Sequence, residues 1–417
     1  MAAVDKMRIV TIAGDTGGSN QDLTITGFGT PTAAMFFASL ATANATVDGI
    51  SHSIGWTDGT NQYCTGLRHR HGTANEEADG ISSTGSVGWL LGTDADPNTG
   101  ESTFAFSAWT TDGVTISWTT APAAAYQIVC VLIQCAGAAV GNAVLSATQD
   151  VATTITTSIP QDTVFAAFND NGVLEVDGVF SDLGFGVCHF DGTTYNHTNM
   201  GYTGYEGNAT GRVVGRVDND RTPKSAGAGC EVNNFTSTSF DFVTRDFADL
   251  PGSVGWLALE WNAPNPVRVA IFDAPTGTAT VNKSFTWPGM TPQFVLLGMT
   301  RLVDVNTEYD DTTTGSMAIG LFDSAGTEEC IAWADEIGAA TINTECTHAA
   351  NAIEYHDNAG TALFDANSAN GSMDDYGFTL EFTALPTTGT RKWFGFALQD
   401  PPTPPTLAPT LTPAMRW

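Results

Sequence analysis

The strongest constraint on this chain is an ordered set of three local patterns that occurs three times, because internal recurrence decides architecture before any single element does. The first pattern is a turn followed by an apolar run. It appears as Ile25-Thr26-Gly27-Phe28 and Pro31 before Ala34-Met35-Phe36-Phe37, and as Thr157-Ser158-Ile159-Pro160 before Val164-Phe165-Ala166-Ala167-Phe168. It appears again as Phe285-Thr286-Trp287-Pro288-Gly289 and Pro292 before Phe294-Val295-Leu296-Leu297. The second pattern is a small-residue strand running into an aromatic, acidic, Gly and Thr turn: Ser53 to Thr60, Gly184 to Thr193, and Met317 to Thr327. Asp-Gly between apolar alternations is a hairpin signal, since both positions tolerate positive φ. The third pattern is an alternating strand, a Pro-containing loop (Pro122, Pro251, Pro386) and an aromatic-led strand: Asp112 to Leu132, Ser239 to Leu259, and Tyr376 to Leu398.

The offsets centre near 130 residues: Trp118 and Phe242 are 124 apart, and Phe242 and Phe382 are 140 apart. Trp56 and Phe190 are 134 residues apart, and Phe190 and Phe322 are 132 apart. Strand and turn signals recur every few residues, and amphipathic helical periodicity is scarce. This pattern predicts an all-β chain of three tandem β-sandwich, jelly-roll-like domains. The expected division is residues 1–134, 135–263 and 264–399, followed by an extended Pro-rich C-terminal arm over 400–417. That arm, DPPTPPTLAPTLTPAMRW, has no core-forming pattern and favours a polyproline-like conformation. Two stretches resemble helices. Residues 33–45 are read as the repeat's strand plus a loop, and 328–354 as holding a short helix in the third copy. Residues 121–147 carry no charge and are long enough to cross a bilayer, but Pro122, Gln134, Gly137, Gly141 and Asn142 interrupt them. The repeat makes their first half a buried strand followed by a linker.

Charge narrows the function. The 417 residues carry 45 Asp and Glu against 15 Lys and Arg, a formal charge of −30. Such a surface repels phosphate, which argues against nucleic acid and against anionic membranes. The N-terminus lacks the apolar core of a secretory signal, so synthesis and folding in a cytoplasm are expected. The seven cysteines are odd in number, with no Cys-x-x-Cys pair, and are expected to be buried free thiols.

No standard catalytic constellation is present, and no catalytic residue is assigned. The Asp58-Gly59 and Asp191-Gly192 turns recur as structural hairpins do. Arg68-His69-Arg70-His71 is the one basic cluster. It fits an exposed loop, a contact in which Glu76, Glu77 or Asp79 pairs with the arginines, or, with both histidines on one strand face, an incomplete metal site. Asp304, Glu308, Asp310 and Asp311 resemble the start of a calcium loop. Tyr309 stands where an EF-hand needs Gly, and Gly315 where it needs Glu, so only a looser Ca2+ site in an acidic loop remains open; no other cofactor is expected. Residues 195–221 read as the most binding-like loop, with Tyr195, His197, Tyr202 and Tyr205 among glycines and amides, a composition suited to adaptable contacts with sugars or a protein. Trp89, Trp109, Trp118, Trp256 and Trp393 sit in strand patterns and are read as core.

The tandem sandwiches, the Asp-Gly-Thr turns, the closing strand Asp112-Gly113-Val114-Thr115-Ile116-Ser117-Trp118 and the extended arm together resemble virion structural proteins of tailed bacteriophages. The resemblance is architectural and spans the whole chain. It implies a non-enzymatic capsid decoration or fibre component on the exterior of a virion, made in the host cytoplasm. Its implied partners are other virion proteins or identical subunits, with Pro401, Pro404, Leu407, Leu411 and Trp417 as assembly contacts. The alternatives are a glycan-binding adhesin that engages host-surface glycans and, behind it, a glycan-active enzyme on the same scaffold.

Overall fold

The computed structural model describes residues 4–43, 45–69, 78–91, 102–169, 181–204, 213–218, 221, 228–247, 253–273, 281–287, 289–300, 309–311, 314–336, 343–355, 367–382 and 392–399. Among these residues the fold is all-β, with six antiparallel sheets that group into three pairs. The large sheet of the first pair orders its strands Lys6–Ala13, Tyr126–Gln134, Ala33–Thr42, Ile50–Thr57, Gln62–His69 and Ala78–Ser83. Its small sheet orders Gln21–Thr24, Gly113–Thr120, Ser102–Thr110 and Gly88–Leu90. The other two pairs repeat this plan, with strands drawn from Gly137 to Glu260 and from Val267 to Gln399. We call the three pairs the first, second and third units. In each large sheet the first strand pairs with the last, and the last with the third. From the third strand the chain runs on as a meander.

The third strand of each unit is a continuous apolar run, and the reason is burial on both faces. Pro292–Thr300 is buried along its whole length. Its residues alternate between two cores, as the period of a strand requires. Val295, Leu297 and Met299 face Phe378, Leu380 and Phe382 inside their own sandwich. Phe294 and Leu296 enter a different cluster, which also holds Phe37 of the first unit and Phe165, Phe185 and Met200 of the second. The large sheets of all three units therefore share one apolar centre. Aromatic edges lock it, with ring centroids of Phe37 and Phe185 5.9 Å apart, Phe185 and Phe394 6.2 Å, and Phe165 and Phe396 4.9 Å. Each such pair adds about 0.5–1.5 kcal/mol beyond simple burial.

The units also exchange strands. Thr46–Asp48 leaves the first unit and pairs with Asn343–Ala349 at the edge of the third unit's large sheet. Tyr309–Asp311 leaves the third unit and pairs with Val213–Asp218 at the edge of the second. The second unit reaches the first through Asn169, whose Nδ2 donates to Gly66 O at 3.1 Å. The order is head to tail and closes on itself, as a ring requires.

A close approach fixes one glycine in each of two units. A Cβ on Gly55 would lie 2.1 Å from Val87 O, and one on Gly320 would lie 2.0 Å from Ala352 O. These are matching positions where the last strand of the small sheet crosses over the large one. In the second unit the described small sheet has three strands, and Cys188 stands near the matching point.

Several expectations are corrected. Residues 328–354 hold no helix where described, but strands Glu328–Glu336, Asn343–Ala349 and Ile353–Tyr355, because Ile331 and Trp333 alternate toward the shared centre with Cys330 and Ala332 facing the sandwich core. In residues 121–147 the second half is not a linker. Tyr126–Gln134 closes the first unit and Gly137–Val144 opens the second, leaving two residues between them. No helix among the described residues is long and apolar enough to cross a membrane. Residues 400–417, with Pro401, Pro404, Leu407, Leu411 and Trp417, lie outside the described residues.

Candidate functional site

The recurring acidic turns meet the next unit, and they do so differently at one junction. In each turn one carboxylate oxygen caps the turn itself. Asp58 Oδ1 accepts from Thr60 N and Asn61 N, Asp191 Oδ1 from Thr193 N and Thr194 N, and Asp323 Oδ1 from Ala325 N and Thr327 N. Gly59, Gly192 and Gly326 take the positive φ that each turn needs, at 85°, 94° and 83°. The second oxygen is left to point outward. Asp58 Oδ2 accepts from Val140 N, 2.9 Å away on the second unit's first strand. Asp323 Oδ2 accepts from Ile9 N, 3.2 Å away on the first unit's first strand.

At the junction of the second and third units no strand N–H among the described residues reaches the carboxylate, and there Asp191 Oδ2 accepts only from Asn196 Nδ2, at 3.3 Å. The junction is bridged instead by Asn265, whose Nδ2 donates to the Asp191 carbonyl at 2.9 Å. Asn265 holds a φ of 49°, a conformation Asn tolerates better than most residues. Between the two units lies a cavity of about 370 Å³ lined by His189, Asp191, Thr193, Asn196, Asn265, Val267, Arg268 and Val269. Its volume falls in the range of small-molecule sites, about 300–1,000 Å³.

The charges of this cavity are set by its walls. The Thr193 hydroxyl and the Thr194 N–H hold the Asp191 carboxyl well below the usual carboxylate range, so it is anionic. Burial pushes His189 down to about 4, so its ring is neutral at physiological pH. His189 Nδ1 shares a 2.9 Å hydrogen bond with Thr163 Oγ1, which also accepts from Trp261 Nε1 at 2.8 Å. His189 Nε2 has no hydrogen-bond partner, and the residue is 2 % exposed. Arg268 is anchored to the backbone of its own segment, donating to Val267 O at 2.8 Å and Asn265 O at 3.3 Å.

The residues singled out from sequence do not converge on this place. Residues 195–221 are not one loop: the described part forms strands Tyr195–Gly204 and Val213–Asp218 of the second large sheet. Tyr195 stacks on Phe190 with centroids 4.7 Å apart, and its hydroxyl accepts from Phe235 N, so it serves its own sandwich. His197 is buried, with Nε2 3.9 Å from Cys188 Sγ. Tyr202 pairs through its backbone with Leu183 and Gly215, and Tyr205 lies outside the described residues. Asp310 and Asp311 are not in an open acidic loop but in the lent strand Tyr309–Asp311, where their backbones satisfy the second unit's edge. Asp304 and Glu308 lie outside the described residues. Arg68 and His69 are not on an exposed loop; both are fully buried in Gln62–His69, while Arg70 and His71 lie outside the described residues. Among the described residues no group of three or more His, Cys, Asp or Glu is placed to hold a metal ion. All seven cysteines are buried free thiols.

Sequence reasoning met Asp191 and read it as a hairpin turn, which it is. It missed Arg268 and Asn265, because nothing local joins them to Asp191 across more than 70 positions.

Together these features define an all-β protein of the antiparallel sandwich class, with its carboxylate turns at the junctions between sheet pairs. No protein-family model matches the chain, and no curated protein matches it.

Proposed function

We propose that this chain is a non-enzymatic structural protein on the exterior of a virus particle, a capsid decoration or a component of a head or tail fibre, held by neighbouring subunits. The observation that carries this reading is the closed head-to-tail cycle of three sheet pairs within one chain. A single polypeptide that completes such a ring presents three similar faces, and that suits a position of three-fold character in a symmetric shell. The charge of −30 supports an exterior place, since it keeps a crowded protein surface soluble. The sequence of residues 400–417 supports attachment, because six prolines in 18 residues favour extended conformations that lose little entropy on docking.

The test is incorporation. The chain truncated at Asp400 is expected to keep the melting temperature of the full chain and to be absent from purified particles. Normal incorporation of the truncated chain would falsify the reading. A second reading, a receptor-binding protein that engages host-surface glycans, draws its support from the polar cavity at the junction of the second and third units.

A further inference from the structure

We infer that the cavity between the second and third units is a saccharide-binding site in which hydroxyl groups take the place of a missing junction bond. The inference deepens the receptor-binding reading and does not depend on the assembly reading.

The argument starts from the comparison of junctions. Two of them are closed by a carboxylate oxygen accepting a backbone N–H of the next unit's first strand, Asp58 with Val140 and Asp323 with Ile9. At the remaining junction the matching carboxylate and residues of the matching strand, Val267–Asp273, line one cavity of about 370 Å³. What fills that cavity has to satisfy both an anionic acceptor and donors. A hydroxyl does both, since it donates to a carboxylate and accepts from an N–H. Several hydroxyls on a rigid ring do it at several points at once.

The wall chemistry agrees. Asp191 Oδ2 retains acceptor capacity beyond its single 3.3 Å contact with Asn196. Arg268 and the second proton of the Asn265 amide supply donors on the same lining. Val267 and Val269 give a small apolar surface for ring C–H groups. A simple anion is disfavoured, because Asp191 stays ionised against it. A simple cation is disfavoured by Arg268. A neutral polyol ring meets neither objection.

The experiment is a glycan array probed with the full chain, followed by titration of the strongest hit. The wild type is expected to bind a saccharide carrying vicinal hydroxyls. Asp191→Asn keeps the turn-capping oxygen and replaces the outward acceptor with an amide, and is expected to weaken binding at least about tenfold, as loss of a hydrogen bond to a charged group does. Arg268→Ala is expected to weaken it as well. Thermal melting checks that both variants are folded. Asp58→Asn, at a junction already closed, is expected to leave affinity unchanged and so separates a local effect from a general loosening of the ring. Binding that survives Asp191→Asn, or no binding to any saccharide by a folded wild type, overturns the inference. Neither result bears on particle incorporation, so the two readings fail separately.

Discussion

His52 of the first unit stacks on Trp333 of the third, with ring centroids 4.2 Å apart and planes 29° from parallel. Neither nitrogen of His52 has a hydrogen-bond partner, and burial, with a smaller contribution from His69, pushes the ring down to about 3. Between pH 6.5 and about 3 the unfolded chain therefore binds a proton that the folded chain refuses. Stability falls as pH falls through that window, by about 1.4 kcal/mol per pH unit for such a group. His189 adds the same sign down to about 4, whereas half-buried Asp162, raised to about 7, opposes it between its ordinary value and neutrality. A His52→Phe variant isolates one contribution. Its stability relative to wild type, read from urea unfolding at stepped pH, is expected to rise steadily below pH 6.5; a constant difference would contradict this account.

Removing an inter-unit carboxylate should loosen one seam. Asp323 is 4 % exposed and holds both its own turn and Ile9 N. Asp323→Ala is expected to cost about 1–3 kcal/mol by leaving buried donors unpaired. Asp323→Asn, which keeps one oxygen for the turn, should cost less. Denaturant midpoints at constant slope provide the measurement.

Gly320→Ala is expected to be among the most damaging small substitutions. The added carbon would sit 2.0 Å from a backbone oxygen at Ala352, which cannot swing away like a side-chain end. A loss of roughly 1–3 kcal/mol or more follows from overpacking. Gly326→Ala is a useful contrast, since only its φ of 83° is at stake there, with open space around the new carbon.

The shared apolar centre should make the three units unfold together. Phe396 lies within 4.9 Å of Phe165, a residue of another unit, and is fully buried. Phe396→Ala is expected to cost about 3–5 kcal/mol and to lower one calorimetric transition rather than split it. Separate transitions, one per unit, would show that the centre does not couple them.

Burial pushes the thiols of Cys130, Cys135, Cys188, Cys230, Cys330 and Cys346 up, the last to about 12. Native protein is expected to leave all seven unreactive toward a thiol reagent at pH 8, and denatured protein to expose all seven.

The sandwich class was legible because Asp-Gly turns and alternating strands such as Gly113–Thr120 are local signals. The strand Ala33–Thr42 was legible for the same reason, despite its helix-like composition. What local pattern cannot carry is a partner far away in the chain. The run Phe294-Val295-Leu296-Leu297 announces burial on both faces but not that one face meets Phe396 and the other Phe378. Asp310 and Asp311 look like part of an open acidic loop until the strand their backbones complete is seen. Tyr195 looks like a contact residue until Phe190 and Phe235 are placed around it. The junction cavity was illegible for the same reason, since its two walls come from separate sheets.

The loan of Thr46–Asp48 to Asn343–Ala349 has a temporal consequence. Those segments are about 300 residues apart, and at ~5–20 residues per second the second emerges from a ribosome roughly 15–60 s after the first. Throughout that wait the strand Thr46–Asp48 has no partner yet synthesised. Nascent chains of this protein should therefore occupy holdase chaperones far longer than their final stability suggests, and a pause late in translation should affect yield more than one early on.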